Sequence, residues 1–271
     1  MPELPEVETT LRGIEPHINK NIVKTVLIHQ AKLRWPVEKK LHSILSGKQL
    51  LNLQRRGKYL ILEFNNGSLL IHLGMSGSLR ILSLKTPLEK HDHFEIVFDN
   101  NKILRLRDPR RFGAVLWTEE IWQDHKLIKL LGPEPLMDEF NTEYLFAKSN
   151  NKSLAVKSFI MNSHIVVGVG NIYASEALFR AGIHPTRSTK RISKKRFDIL
   201  VSAIKVVLDK AINEGGTTLK DFTNAEGKPG YFAQQLNVYG KAGQPCPTCS
   251  AAIKTKVIAQ RATYYCSNCQ H

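Results

Sequence analysis

Apolar side chains recur along this chain with two different periods, and the change from one to the other divides it. Near the start, Val7, Leu11, Ile14 and Ile18 fall three or four residues apart, which predicts an amphipathic helix with Pro5 in its first turn. From residue 22 the period shortens toward two. Residues 22–29 are rich in branched side chains, and the runs 60–64 and 68–73 flank Asn65-Asn66-Gly67, a composition that predicts a hairpin turn. The runs 94–98 and 102–107 flank Asp99-Asn100-Asn101 in the same way, and 113–117 adds another strand. The first half therefore reads as mostly antiparallel β, arranged as a sandwich.

At Leu131-Gly132-Pro133-Glu134-Pro135, two prolines within three residues predict a linker. Beyond it the helical period returns over 142–148, 154–161, 172–181 and 193–214, the last run closed by Gly215-Gly216. A loop rich in Thr and Lys comes next, then the segment 227–232, then a tail that holds all four cysteines. No internal repeat or low-complexity tract interrupts the order. The pattern predicts three parts, at 1–132, 133–242 and 243–271.

Charge narrows the partner. Lys and Arg number 39 against 24 Asp and Glu, a formal charge of +15, which points to a polyanion and first to nucleic acid. A basic surface could also meet an anionic membrane, but no apolar run approaches the roughly 20 residues of a spanning helix. The terminus itself is acidic: Glu3, Glu6 and Glu8 precede the first basic residue, Arg12. That is the wrong sign for a secretory signal or transit peptide, so a cytoplasmic protein is expected.

Several residues carry candidate chemistry. Cys246-Pro-Thr-Cys249 and Cys266-Ser-Asn-Cys269 are two close pairs separated by 16 residues, a spacing that fits one structural, tetrahedral zinc ion. Two disulfides are the alternative. The sequence between the pairs alternates like a hairpin, with Gln260-Arg261 at or near its tip; Arg261 is either an exposed charge or a phosphate contact. If Met1 is removed, Pro2 presents a terminal amine of low pKa beside Glu3, which suits Schiff-base chemistry; the alternative is an acidic, solvated helix cap. Val167-Gly-Val-Gly170 leads to Asn171, a residue type that caps helices, and a helix start can bind phosphate. Asp108-Pro-Arg-Arg-Phe-Gly113 places Phe112 beside Arg110 and Arg111, as an apolar wedge for unstacking bases or as a core side chain. Met75 is a second such candidate. Lys58 heads a strand, and His91-Asp92-His93 could ligate a metal but shows no third partner.

The motifs Pro-Glu-Leu-Pro-Glu-Val-Glu at the terminus, His72-Leu-Gly-Met-Ser-Gly77, Asp108-Pro-Arg-Arg-Phe-Gly113, Val167-Gly-Val-Gly-Asn-Ile-Tyr-Ala-Ser-Glu176, Gly215-Gly-Thr-Thr218 and the four-cysteine tail occur in this order. Together they resemble the bacterial formamidopyrimidine-DNA glycosylase family, whose members excise 8-oxoguanine, and the resemblance spans the whole chain. It implies an α+β multidomain protein: an N-terminal catalytic β-sandwich with flanking helices, then a helix–two-turns–helix DNA-binding domain carrying a zinc-ribbon finger, with DNA bound between the two. On that resemblance Pro2 attacks the deoxyribose C1′ of an extruded nucleotide and Glu3 is the acid/base. Lys58 assists lesion processing and β-elimination, and Arg261 sits at the phosphates and serves the later elimination. Met75, Arg110 and Phe112 fill the space left by the base, and His91, Arg110, Lys152 and Asn171 contact DNA. The loop 217–226 closes over the lesion. The implied partner is double-stranded DNA with an oxidised base or abasic site, bound by a monomer associated with the nucleoid. Two alternatives stand beside this reading: a sister glycosylase acting on oxidised pyrimidines, and a non-catalytic zinc-containing DNA-binding module. Leu4 and the Arg-Arg-Phe run favour the purine enzyme, and the presence of Pro2, Glu3 and Lys58 opposes loss of catalysis.

Overall fold

A computed structural model of the protein describes residues 2–150, 152–217 and 232–271, and these form two compact units. Residues up to Leu130, together with 214–217, make the first; Leu131–Asn213 and the residues from 232 onward make the second. Most of the loop expected at 217–226, and the start of the segment 227–232, lie outside the described residues.

The first unit begins with helix α1 (Leu4–Ile18), whose Val7, Ile14 and Ile18 are fully buried as their spacing predicts, while Leu11 of the same face is half-buried; Leu4 is fully buried as well. Val7, Ile14 and Ile18 pack into the core of a sandwich of two antiparallel sheets, with Leu11 against it. One sheet has the order β1 (Val23–Ile28), β6 (Asp92–Phe98), β7 (Lys102–Arg107), β5 (Ser78–Ser83). The other has β2 (Asn52–Arg56), β3 (Tyr59–Phe64), β4 (Gly67–His72), β8 (Ala114–Thr118). A short helix, α2 (Leu41–Leu45), joins β1 to β2. Strands β2 and β5 and helix α2 were not expected from periodicity. Strand β2, Asn-Leu-Gln-Arg-Arg, is a sheet edge with one buried apolar side chain, so it shows almost no alternation. The hairpin at Asn65-Asn66 exists, but Gly67 belongs to β4. A Cβ there would stand 2.4 Å from Thr118 O and 2.6 Å from the Trp117 ring, so β8 can lie alongside only because residue 67 has no side chain.

Two crossings between the sheets bring distant residues to one place. The segment after β4 carries the chain to β5 in the opposite sheet, and the segment after β7 carries it back to β8. The register places both at one end of the sandwich. Arg56, Tyr59, His72 and Ala114 form a cross-strand row closing one sheet, and Ser78, Arg107 and Asp92 close the other.

In the second unit α3 (Thr142–Ser149), α4 (Val156–Ile160), α5 (Asn171–Arg180) and α6 (Lys194–Asn213) enclose a separate core. Helix α4 is shorter than the expected 154–161. Its first residues bond instead to the chain near 188, with Val156 N–H donating to Arg187 O and Thr189 N–H to Leu154 O, so extended pairing replaces a helical turn. The finger, with hairpin β9 (Lys254–Ile258) and β10 (Arg261–Tyr265), is bolted to α5 and the turn after it. His271 N–H donates to Gly182 O, Gln270 Nε2 to Ile183 O, and the Tyr265 ring meets that of His184 at 4.6 Å. No helix among the described residues is long and apolar enough to cross a membrane.

Glu176, on α5 and 2% exposed, fixes the approach to the finger. Its carboxylate accepts the backbone N–H groups of Asn237, Val238 and Tyr239 at 2.9 Å each, and the Asn237 side-chain amide at 3.0 Å. Glu176→Gln puts an NH2 group where two donors already point. It should destabilise the second unit by about 2–4 kcal/mol. All three tryptophans, Trp35, Trp117 and Trp122, lie in the first unit. The loss should therefore appear in the helical circular-dichroism transition under urea and leave the tryptophan-fluorescence transition in place.

Candidate active site and zinc centre

The acidic terminus is not a solvated cap. Glu3 and Glu6 are each 2% exposed, Pro2 is buried, and Glu8 is held by Arg55 of β2 at 2.8 Å and Arg12 at 2.9 Å. Burying carboxylates costs several kcal/mol unless donors replace the lost water. The start of a helix supplies them: Glu3 is the N-cap, and Glu6 Oε2 accepts the Glu3 N–H at 2.8 Å in a capping box. Glu6 Oε1 accepts the Thr217 N–H at 2.7 Å. A Cβ on Gly216, whose φ is +83°, would stand 3.2 Å from that same oxygen, so glycine there allows the loop to approach. Pro2 and Glu3 are thus fixed to a helix anchored in the core.

At the end of the sandwich closed by the row Arg56–Tyr59–His72–Ala114, three segments gather. Lys58 is the second residue of the tight turn Gly57-Lys58 between β2 and β3, with Gly57 at φ +58°, and is half-buried. The stretch 73–77 carries Met75, half-buried. The stretch 108–113 carries Arg110 and Phe112, both exposed; Phe112 is 45% exposed, whereas Phe98 of the core is 0%. This settles the core alternative for Phe112. Arg111 adopts φ +56°, and the Arg110 guanidinium stands 5.0 Å from the centre of the Phe112 ring. His91 precedes β6 at the same end, half-buried with φ +79°. Asp92 is committed to Arg105 and to the Glu89 N–H, and among the described residues the only cluster suited to a metal is the four cysteines.

Cations also shape His72, which the sequence placed in a motif without a role. Its Nδ1 accepts the Gly74 N–H at 2.9 Å, and its ring leans on Tyr59 at 4.9 Å. Burial, reinforced by the charges of Lys58 and Arg34, pushes its pKa down to about 4. The ring is therefore neutral, with its proton on Nε2. Arg34, whose N–H donates to Gly113 O, is a cation at this end that no sequence motif singled out.

The second unit holds the remaining candidates. Lys152 is exposed, its ammonium 5.6 Å from the Phe159 ring. Asn171 is not the cap of α5: Gly170 takes that position, and Asn171 is the first helical residue. Its amide is drawn into a tertiary network instead, Oδ1 accepting Lys157 Nζ at 2.5 Å and Nδ2 donating to Ala262 O at 3.0 Å. Lys157, 1% exposed, also donates to Thr263 Oγ1 at 2.6 Å, so a buried ammonium sets the position of β10. Arg261 opens that strand, exposed, directly after a turn made by Ala259 and Gln260, both at positive φ. The tip is thus one residue earlier than Gln260-Arg261.

The Sγ atoms of Cys246, Cys249, Cys266 and Cys269 all lie within 4.8 Å of one another, with Cys246–Cys269 at 3.8 Å and Cys249–Cys266 at 3.5 Å. A disulfide needs about 2.05 Å. A ZnS4 tetrahedron with bonds near 2.3 Å has edges of about 3.8 Å, so the donors fit one zinc ion and not two disulfides. Zinc binding requires the thiolate form of these donors. Four thiolates leave no open coordination position, so the site is structural.

Glu6, His72, Asp108, Lys157 and Glu176 were not given roles from the sequence. Glu6, His72, Asp108 and Glu176 all belong to the family-like motifs, and Glu176 also interrupts an apolar helix, the one local signal that it is buried and paired.

The finger and the sandwich have separate cores. Chelating zinc should therefore abolish duplex binding while the tryptophan-fluorescence melt stays unchanged; a metal-free protein that binds duplex normally would overturn the assignment. His72 is protonated more readily in the unfolded chain, near pH 6.5, than in the folded one, near 4. Stability is accordingly full above 6.5 and falls as pH drops toward 4, by about 1.4 kcal/mol per pH unit at most. His72→Asn should flatten that slope in denaturation monitored by tryptophan fluorescence, and an unchanged slope would remove His72 as its source.

Comparison with known proteins agrees along the whole length. Residues 1–115 match the formamidopyrimidine-DNA glycosylase N-terminal domain, 131–223 the H2TH domain of the same enzymes, and 243–271 the zinc finger found in FPG and IleRS. The formamidopyrimidine-DNA glycosylase of Alcanivorax borkumensis is 56% identical over 270 residues, and that of Saccharophagus degradans 55%, each covering 100% of both chains. Among solved structures, Lactococcus lactis Fpg in complex with abasic-site DNA superposes with a TM-score of 0.90 at 33% identity, covering 99% of both chains. The MutM (Fpg) protein of Thermus thermophilus gives 0.88 at 33% identity, covering 99% of this chain and 98% of the other. With its β-sandwich, its helical domain and its four-cysteine finger each matched in order, this chain belongs to the formamidopyrimidine-DNA glycosylase family.

Proposed function

We propose that the protein is a bifunctional base-excision repair DNA glycosylase and AP lyase that removes oxidised purines, 8-oxoguanine and formamidopyrimidines, from double-stranded DNA. The observation that carries this reading is the burial of Pro2 and Glu3 at the anchored start of α1. An amine and a carboxyl group are thereby held by rigid structure instead of a frayed terminus. Once Met1 is removed, the secondary amine of Pro2 attacks C1′ of the extruded nucleotide and the bond from C1′ to the base breaks. Glu3 moves protons: one reaches the departing base and one the ring oxygen as the sugar opens, leaving an iminium between Pro2 and C1′. Loss of a C2′ proton, assisted by Lys58, then expels the 3′ phosphate, and a second elimination, with Arg261 at the phosphates, expels the 5′ phosphate. Extrusion is required because C1′ is hard to reach inside a stacked duplex.

The exposed Phe112, the Arg110 guanidinium over its ring, and Met75 fill the gap left by the base. His91, Lys152, Asn171 and Arg110 contact DNA; for Asn171 the contact falls to what its amide retains beyond Lys157 and Ala262 O. Arg261, exposed beside a tight turn on a zinc-braced ribbon, suits a phosphate contact. The formal charge of +15 supports the polyanionic partner, which the protein engages as a monomer on nucleoid DNA in the cytoplasm.

Borohydride trapping tests the reading. A stable adduct should form on 8-oxoguanine duplex and map by peptide analysis to the first residue of a chain lacking Met1. An amine of pKa about 8 should outcompete lysines near 10.4. A chain forced to keep Met1 should bind lesion duplex without cutting it, and Glu3→Gln should bind but fail at base removal. An adduct on Lys58, or cleavage without any adduct, would refute the terminal-amine mechanism. A faster reaction on oxidised pyrimidines would reassign the substrate to the sister class.

A further inference from the structure

Met75 and Phe112 lie on different inter-sheet crossings, yet the two loops are joined by a buried acidic side chain. Asp108 is 0% exposed. Its Oδ1 accepts the Ser76 hydroxyl at 2.9 Å and its Oδ2 accepts the Gly113 N–H at 2.7 Å. The Ser76 Oγ in turn accepts the Arg110 N–H at 3.3 Å. The chain of donors thus runs from Arg110 N–H through Ser76 to the carboxylate, linking the Met75 loop to both ends of the Arg110–Phe112 segment. Each bond in such a chain polarises the next. Backbone contact completes the joint. A Cβ on Gly74 would stand 2.3 Å from the Phe112 carbonyl carbon and 2.4 Å from Gly113 N, so the loops touch with no side chain between them at that point. The Asp108 backbone is engaged too, its carbonyl accepting the Arg111 N–H at 3.1 Å and pairing with His93 Nε2 at 2.9 Å.

We infer that Asp108 is a positioning residue: its buried carboxylate clasps the two crossings into one stiff element, so that Met75, Arg110 and Phe112 enter a duplex together. The inference rests on the proposed void-filling role of those three side chains. Asp108 itself does not reach DNA, since it is wholly buried and both its oxygens face protein donors. Its importance is mechanical. Prising a base step apart costs a few kcal/mol, and a loop that yields under that load relaxes instead of opening the stack. Phe112 is 45% exposed, so it is not locked in a core as Phe98 is. The loop backbone carries it, and Asp108 holds that backbone at Arg110 through Ser76 and at Gly113 directly.

The test compares Asp108→Asn, Ser76→Ala, Phe112→Ala and Met75→Ala in the zinc-loaded full chain. Excision of 8-oxoguanine is measured under single-turnover conditions from duplex and from single strand, with 2-aminopurine beside the lesion reporting unstacking. Asp108→Asn keeps the size but offers an NH2 group to one of the two donors. It should slow duplex excision by about tenfold and reduce the 2-aminopurine signal, with excision from single strand and borohydride trapping on single strand unchanged. Ser76→Ala should act in the same direction less strongly, and adding it to Asp108→Asn should cost little more, because both break one chain. If Asp108→Asn fails to fold, Ser76→Ala with the same readouts decides. Folded variants that match the parent on duplex, while Phe112→Ala loses unstacking, would overturn the clasp alone. Equal losses on duplex and single strand would also overturn it, as a general structural effect. If Phe112→Ala and Met75→Ala unstack and excise normally, the void-filling role itself fails and the clasp falls with it.

Discussion

A carboxylate buried at the start of a helix needs N–H groups in place of the water it has lost, and Glu6 finds them at Glu3 and Thr217. The remainder of the catalytic unit depends on that exchange. Helix α1 is fixed by Val7, Ile14 and Ile18 in the sandwich core, and Glu6 transfers the rigidity of the helix to the N-cap residue and to the loop that returns from α6. The favourable end of the helix dipole lowers the cost of gathering Glu3 and Glu6 in one place. A terminus that would otherwise fray becomes part of the core, which a nucleophile needs if it is to be aimed.

The same device recurs wherever this protein must hold a loop. Asp108 holds the two crossings, Lys157 holds β10 against the start of α5, and Glu176 holds residues 237–239. Each charge is nearly or wholly buried, and each is answered by backbone or side-chain groups of a segment distant in sequence. An apolar contact would bury area without choosing among loop conformations. A charge with fixed donors chooses one, because every alternative leaves the charge or a buried N–H unpaired. Candidate functional side chains sit next to these anchors: Pro2 and Glu3 by Glu6, Met75 and Phe112 by Asp108, Asn171 and Arg261 by Lys157.

The sandwich converts this local order into a site. Because β4 passes to β5 and β7 passes to β8 at the same end, residues more than thirty positions apart become neighbours. Lys58 and His72 arrive at that end through the ladder of β2, β3 and β4, where the register sets Tyr59 opposite His72. The zinc finger makes a comparable conversion in the second unit, bringing the two cysteine pairs together and presenting Arg261 on a braced hairpin.

Periodicity alone was enough for α1, for the strands rich in branched residues, for the long helix α6 and for the change of character near Leu131, because each of these is specified by side chains that repeat along a single element. The cysteine spacing likewise announced a metal centre, and the ordered motifs announced the family, since both are local in sequence. Edge strand β2 escaped because one buried side chain cannot make an alternating pattern. Helix α4 was overestimated because its first residues pair with a distant segment instead of with each other. Asn favours the cap position in general, whereas here the amide of Asn171 is taken up by Lys157 and Ala262 and Gly170 becomes the cap. The anchoring charges were hardest to read. A Glu or Asp in a sequence looks solvated until the fold shows which backbone groups surround it, and those groups belong to elements that only the tertiary structure brings within hydrogen-bonding distance.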